Sequence, residues 1–107
     1  MNAAERLWRA LERSDWEAVR AQFHTAAVIE VVGGAEAELG VGEYVAEHRE
    51  QAARGLTPEV VRTLSGLGNI VVVEARAGDA RCAGFYDLHE GRIARATEYW
   101  VTPRGAG

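Results

Sequence analysis

The sequence has little cysteine, no stripe of basic residues and no apolar run long enough to cross a membrane. Its single cysteine, Cys82, excludes a disulfide bond within one chain and fits the reducing cytoplasm, where we expect the protein. The net charge is −4, and nothing is present to replace the counterions of a phosphate backbone. We therefore expect no nucleic-acid partner and no membrane partner.

Motifs for metals and cofactors are also missing. The three histidines, His24, His48 and His89, are dispersed and show no spacing typical of metal ligands. The segment "GLGN" joins two predicted strands rather than a strand and a helix, so it is not a phosphate-binding loop. The sequence therefore predicts no metal and no cofactor.

The residues that are present describe a globular protein with one core. The chain has 107 residues, of which 48% are hydrophobic and 26% charged, and these values are ordinary for a soluble domain. At this length we predict a single domain over residues 1–107.

The first half of the chain has mainly helical periodicity. Leu7 and Leu11 recur at helical spacing, and Asp15 is a good N-cap that divides two helices. A β-branched run ends at Gly33-Gly34, and Gly55 is typical of the position just after a helix. The predicted elements are helices Ala3–Arg13 and Trp16–Gln22, strand Val28–Val32, a short loop over 35–39, and helix Gly42–Arg54.

In the second half the period changes to alternation. Three short connections that contain glycine separate four strands, so we expect the strands to be antiparallel neighbours. Helices on one face of such a sheet give an α+β layer fold. The predicted strands are Glu59–Leu64, Ile70–Ala77, Arg81–Leu88 and a last strand within Glu90–Thr102.

The last strand carries a carboxylate in an unusual setting. Side chains alternate between the faces of a strand, so Ala94, Ala96, Glu98 and Trp100 share one face. The opposite face is also half apolar, which predicts that both faces are covered. That opposite face carries Ile93, Arg95, Thr97, Tyr99 and Val101.

Four stretches resemble the nuclear transport factor 2-like superfamily, in its SnoaL-like and ketosteroid-isomerase-like branch. They are "ALERSDWEAVRAQFHTAAVIE", "LGVGEYVAEH", "GNIVVVEARA" and "YDLHEGRIARATEYW". The resemblance covers nearly the whole chain. It implies a cone-shaped, curved antiparallel sheet wrapped around a pocket that three N-terminal helices cap. The scaffold hosts isomerases, cyclases, hydratases, epoxide hydrolases and non-catalytic binders, so it specifies the fold better than the function.

The resemblance also implies which faces are inside. Glu98 and Trp100 would point into the pocket, as would Arg81, Ala83 and Phe85 of the preceding strand. Cys82, Gly84, Tyr86 and Leu88 of that strand would then face away. The outer face would be covered by a homodimer that forms through the sheet. Burial raises the pKa of a carboxyl group and can make it a general acid or base.

The usual polar groups of ketosteroid isomerases are absent from this sequence. The positions that correspond to their tyrosine and two aspartates carry Leu7, Val31 and Ala83. The acidic residue of SnoaL-type cyclases falls near Val101, and Glu98 is the nearest substitute. An isomerase with the usual oxyanion hole and base is therefore not expected.

The predicted site is a pocket for a small hydrophobic molecule, with Glu98 as the catalytic residue. Glu98 would move a proton next to a carbonyl group while Trp100, Phe85 and Val73 hold the substrate. Arg81 or Tyr44 would polarise that carbonyl. The full predicted substrate-binding set is Trp100, Phe85, Arg81, Tyr44, Val73, Val31 and Ala83.

Alternatives remain at this stage. Glu98 could pair with an arginine, for which Arg62, Arg81 and Arg95 are available. His48 could point at a ligand, although exposure to solvent is the predicted outcome for it. The protein could be an enzyme without a cofactor, a non-catalytic binding or scaffold module, or a structural dimer with a filled pocket. Alanines at 75, 83, 94 and 96 are small where a filled cone needs bulk, which favours the first two.

Overall fold

The structure, a computed structural model, describes residues 1–34 and 36–103. Three helices and six strands follow the predicted order, with one addition. A short strand lies where a loop was predicted, and the first strand begins at Phe23 rather than Val28. The elements are α1 Ala3–Glu12, α2 Trp16–Ala21, β1 Phe23–Val32, β2 Ala37–Leu39, α3 Val41–Ala53, β3 Glu59–Leu67, β4 Ile70–Ala77, β5 Ala80–His89 and β6 Arg92–Val101.

The six strands form one curved, unclosed sheet, and the predicted α+β cone is confirmed. The strand order is β2-β1-β6-β5-β4-β3, with β3 to β6 as the predicted antiparallel meander. The sheet also contains one parallel pair, β1 with β6, which the sequence prediction did not include. A parallel pair needs a long connection, and here α3 and the meander supply it.

Local capping explains where the helices begin. The Asn2 side chain accepts a hydrogen bond from the Glu5 backbone N–H, and the Glu5 carboxylate accepts one from Asn2 N–H. Asp15 accepts from Ala18 N–H and starts α2, as the sequence predicts. Beyond α3, Gly55 has φ of +79°, a left-handed conformation that glycine adopts without strain.

The core lies between α1 and the inner face of the sheet. Leu7, Trp8 and Leu11 of α1 are fully buried, and they pack with Val73 of β4 and Ile93 of β6 in one apolar cluster. Helix α1 therefore covers the part of the inner face that carries Val73 and Ile93.

Cross-strand pairing corrects the predicted faces of β5. Gly84 lies opposite Glu98, and Cys82 lies opposite Trp100. Residues directly opposite each other in an antiparallel pair share a face, so the inner side chains of β5 are those at Cys82, Gly84 and Tyr86. The prediction that Arg81, Ala83 and Phe85 point into the pocket is wrong, and so is the prediction that Cys82 points away.

A β-bulge corrects one residue of β6. The pairing with β5 shifts between Asp87, opposite Arg95, and Leu88, opposite Ile93, which leaves Ala94 as an extra residue. As a result Ile93 and Ala96 are both buried, although strict alternation placed Ile93 outside. Beyond the bulge, Ala96 and Glu98 lie on the inner face with Trp100, as predicted.

Candidate functional site

A cavity of about 450 Å³ lies between α3 and the inner face of the sheet. Its walls come from β1, β2, α3, the segment after α3, and the ends of β4, β5 and β6. Most of the lining is apolar, and the polar side chains come from α3 and β6. The lining residues are Val31, Gly33, Ala37, Leu39, Tyr44, Glu47, His48, Gln51, Leu56, Pro58, Ala77, Ala80, Glu98 and Trp100.

Glu98 is the one buried charged residue in the described part of the chain, with 1% of its surface exposed. Three neutral groups donate hydrogen bonds to its carboxylate. Tyr44 Oη and Tyr86 Oη both donate to Oε2, at 2.8 and 2.7 Å. Trp100 Nε1 donates to Oε1, at 3.2 Å. The carboxylate is thus fixed by α3, β5 and its own strand.

A second tryptophan extends this network. Trp8 Nε1 of α1 donates to Tyr86 Oη at 2.9 Å, so the Tyr86 hydroxyl accepts one hydrogen bond and donates another. Both groups are fully buried. No buried side-chain nitrogen or oxygen lacks a partner in the described residues. The network therefore meets the usual requirement for buried polar groups.

Gly84 makes the position of Tyr86 possible. A Cβ atom at Gly84 would lie 2.6 Å from two Tyr86 ring carbons and would also overlap the hydroxyl. The Tyr86 ring therefore folds back over the bare backbone of Gly84 and reaches Glu98 on the opposite strand. The glycine serves the site by lacking a side chain.

The two tyrosines are held as neutral donors. Burial, with the negative charge of Glu98 as a second cause, raises the pKa of Tyr44 well above its usual value. The same causes raise the pKa of Tyr86 well above its usual value. Burial also raises the pKa of the Cys82 thiol, with a further contribution from Glu98. That thiol is an inert core group rather than a nucleophile.

His48 lies in the cavity wall, which corrects the prediction that it is exposed to solvent. It is half-buried and packs edge-on against Tyr44, with ring centroids 4.6 Å apart. Burial lowers the pKa of His48, while Glu98 and Glu47 oppose part of that shift. The imidazole is therefore neutral near pH 7.

The structure brings together only part of the predicted site. Glu98, Trp100, Tyr44 and Val31 all line the cavity. Val73 is fully buried in the core and is not part of the lining. The other predicted residues, Phe85, Arg81 and Ala83, lie on the outer face of the sheet.

The predicted alternative of an arginine partner for Glu98 is wrong. Arg62 and Arg81 both bind Glu74 on the outer face, at 2.7 and 3.5 Å. Arg95 is exposed on the same outer face. Among residues 1–34 and 36–103, no ion pair reaches Glu98.

Sequence reasoning missed Tyr86, Gly84 and Trp8 as parts of the site. The spacing of a glycine two residues before a tyrosine on one strand face was the available signal. The resemblance places that face outside the pocket, so it does not point to these residues.

Among residues 1–34 and 36–103, no helix is both long and apolar enough to span a membrane. No group of three or more histidine, cysteine or acidic side chains in that part of the chain is arranged to hold a metal ion.

Comparison with known proteins gives fold likenesses only. No protein-family model and no curated protein matches the chain. A ketosteroid isomerase candidate from Kribbella flavida is 20% identical with a TM-score of 0.74, over 98% of this chain and 79% of the other. IdmH, a polyketide cyclase candidate from Streptomyces antibioticus, is 16% identical with a TM-score of 0.76, over 92% and 88%. An epoxide hydrolase of the LEH-like kind from M. tuberculosis is 24% identical with a TM-score of 0.68, over 92% and 80%. These likenesses show that the chain has the nuclear transport factor 2-like fold.

Proposed function

We propose that this chain of nuclear transport factor 2-like fold binds a small, largely apolar molecule in its cavity and performs acid–base chemistry on it. The reaction would be of the isomerase, cyclase or hydrolase type and would use no cofactor. The observation that carries the proposal is Glu98, a buried carboxylate that borders a cavity and is bound only by neutral donors. Such groups are the usual acids and bases of enzyme sites.

The hydrogen bonds assign different tasks to the two oxygens of Glu98. Oε2 already accepts from two phenols, so it fixes the orientation of the carboxylate. Oε1 accepts only from the Trp100 indole and has a lone pair left for a ligand. Oε1 is thus the atom that takes a proton from the substrate and returns it.

The remaining lining suits a compact ligand. A volume of about 450 Å³ lies within the range of small-molecule sites. Trp100 and Tyr44 offer aromatic surface beside the carboxylate. Arg81 lies on the outer face, so the group that polarises a carbonyl in this proposal is His48 or Gln51 of α3.

Proton exchange tests the proposal. Small cyclic ketones, including cyclohexanone and 4-piperidone, are incubated with the protein in D2O, and loss of the α-proton NMR signal is followed. We expect the wild type to accelerate exchange, and Glu98→Gln to be slower by about 100-fold or more. Glu74→Gln makes the same charge change on the outer face and should behave as the wild type. Equal rates for Glu98→Gln and the wild type would refute the role of Glu98.

A non-catalytic ligand-binding or dimeric scaffold module is the second candidate, and the outer face of the sheet favours it. That face exposes several large apolar side chains, and two of them, Phe85 and Tyr99, pack edge-on with ring centroids 5.9 Å apart. Exposed apolar patches of this kind mark protein contacts. We propose that a second copy of the chain covers it. The exposed set includes Leu64, Phe85, Tyr99 and Val101.

Sedimentation of the wild type and of Phe85→Glu tests the dimer. We expect a dimer for the wild type and a monomer for the variant, because a carboxylate in the middle of the contact would have to lose its water. A monomeric wild type would refute the proposal. A cytoplasmic location also remains a proposal, supported by the reduced, buried Cys82.

A further inference from the structure

Among residues 1–34 and 36–103, the side chains that line the cavity carry negative charge and no positively charged group. Glu98 and Glu47 are both in the lining, and no arginine occurs among the described residues that line it. His48, the remaining titratable base there, is kept neutral near pH 7 because burial lowers its pKa. The described lining of the cavity therefore has a net negative charge.

The donors that could stabilise a negative ligand are already in use. Tyr44, Tyr86 and Trp100 all donate to Glu98 itself. The polar lining groups that remain are His48 and Gln51, both uncharged. An anionic ligand would thus lose its hydration and gain only neutral donors in return, with no cation to offset its charge.

A cationic ligand would instead be stabilised in this cavity. The free lone pair on Glu98 Oε1 accepts from an ammonium N–H, and burial of the carboxylate strengthens the charge–charge attraction. Glu47 adds a second negative charge on α3.

We propose that the ligand of this cavity is a small amine with an apolar body, bound in its ammonium form at Glu98. The inference rests on the proposed function for the place of binding and adds the charge of the ligand. The ammonium charge would neutralise the charge of Glu98, as an arginine does in an ordinary buried ion pair.

Three matched probes test the charge of the ligand. Cyclohexylmethylamine, cyclohexylmethanol and cyclohexanecarboxylate have nearly the same shape and differ in the charge of one group. Affinities are measured by calorimetry and by NMR shifts of the Trp100 indole proton. We expect the amine to bind about tenfold tighter than the alcohol or better, and the carboxylate to bind more weakly than both.

Variants identify the group responsible. In Glu98→Gln the advantage of the amine over the alcohol should disappear, while the alcohol keeps its affinity within about threefold. Glu50→Gln removes the same charge from an exposed site on α3 that pairs with Arg54, and it should keep the advantage.

Two results would overturn the inference and leave the binding site in place: an alcohol or carboxylate that binds as tightly as the amine, or a Glu98→Gln protein that still prefers the amine. The proposed function would fail as well if none of the three probes and neither ketone of the exchange assay shifted the Trp100 indole resonance.

Discussion

Two glutamates of the same sheet, on strands separated only by β5, have opposite surroundings. Glu74 of β4 lies on the outer face, is 30% exposed, and binds the guanidinium groups of Arg62 and Arg81. Glu98 of β6 lies on the inner face, is 1% exposed, and accepts hydrogen bonds only from neutral groups. The outer carboxylate has two charge partners and is partly exposed, while the inner one is almost fully buried and has no charge partner among the described residues.

The difference shows that only the inner site holds a buried negative charge without a positive partner. An exposed ion pair contributes little to stability because water and salt screen it. A buried carboxylate without a counter-charge costs free energy, and the three donors offset only part of that cost. A ligand that brings a proton or a positive charge completes the inner site, whereas the outer site needs nothing further.

The largest expected effect is at the glycine that makes the inner site possible. Gly84→Ala should lower the free energy of unfolding by about 2 to 4 kcal/mol, since the new Cβ drives the Tyr86 ring away from Glu98. Chemical denaturation measures the change. Gly42→Ala is the control, because Gly42 lies in α3 with open space around its Cβ position. It should be about 0.5 to 1 kcal/mol more stable than the wild type. Equal effects of the two changes would contradict the packing described for Tyr86.

The next effect comes from removing one hydroxyl group on each face. Tyr86→Phe leaves Trp8 Nε1 without its acceptor and Glu98 with one donor fewer. We expect a loss of about 2 to 3 kcal/mol in the free energy of unfolding, measured by urea denaturation. Tyr99→Phe removes the same group on the outer face, where Tyr99 is 45% exposed. It should change stability by less than about 0.5 kcal/mol, and a Tyr99 effect as large as that of Tyr86 would break the comparison.

The third effect is a dependence of stability on pH that arises from His48. Its pKa is lowered in the folded protein, so below the usual value of 6.5 the unfolded chain binds a proton that the folded chain does not. Stability should therefore fall as pH decreases from about 7 towards 5, by at most about 1.4 kcal/mol per pH unit from this residue. Thermal unfolding of wild type and His48→Gln across this range measures it. The variant should show a shallower fall, and a parallel curve would show that His48 is not shielded by the cavity.

The smallest effect is expected at the outer carboxylate. Glu74→Gln should lower the free energy of unfolding by about 0.2 to 1 kcal/mol, and by less in high salt, because its partners are exposed. Denaturation at low and high sodium chloride concentration gives both numbers. A large effect that does not depend on salt would mean that the outer pairs are structurally essential.

Much of the fold followed from the sequence because its patterns are local. Helical spacing, the Asp15 cap and the glycine turns predicted the elements to within a few residues, apart from β2 and the start of β1. Alternation also predicted that Ala96 and Trp100 share a face with Glu98. These features depend only on neighbours along the chain, whereas the resemblance to the superfamily supplied the inward direction of that face.

The rest depended on contacts between strands. Small residues at Cys82, Ala83 and Gly84 give β5 little contrast between its faces, so its orientation is set by pairing with β6. The bulge at Ala94 is likewise a property of two strands and not of one. The place of His48 depends on how α3 lies against the sheet, which its own periodicity does not specify. For these reasons the partners of Glu98 were predicted less completely than Glu98 itself.

The claim that Glu98 borders an accessible cavity is tested most directly by its own carboxyl carbon. The protein is labelled with glutamate that carries ¹³C at Cδ, and spectra of Glu98→Gln and Glu74→Gln assign the two resonances. Cyclohexylmethylamine and cyclohexylmethanol are then titrated in. We predict that the Glu98 signal moves and saturates while the Glu74 signal stays in place. A Glu98 resonance that responds to neither probe, or a response confined to Glu74, would contradict it.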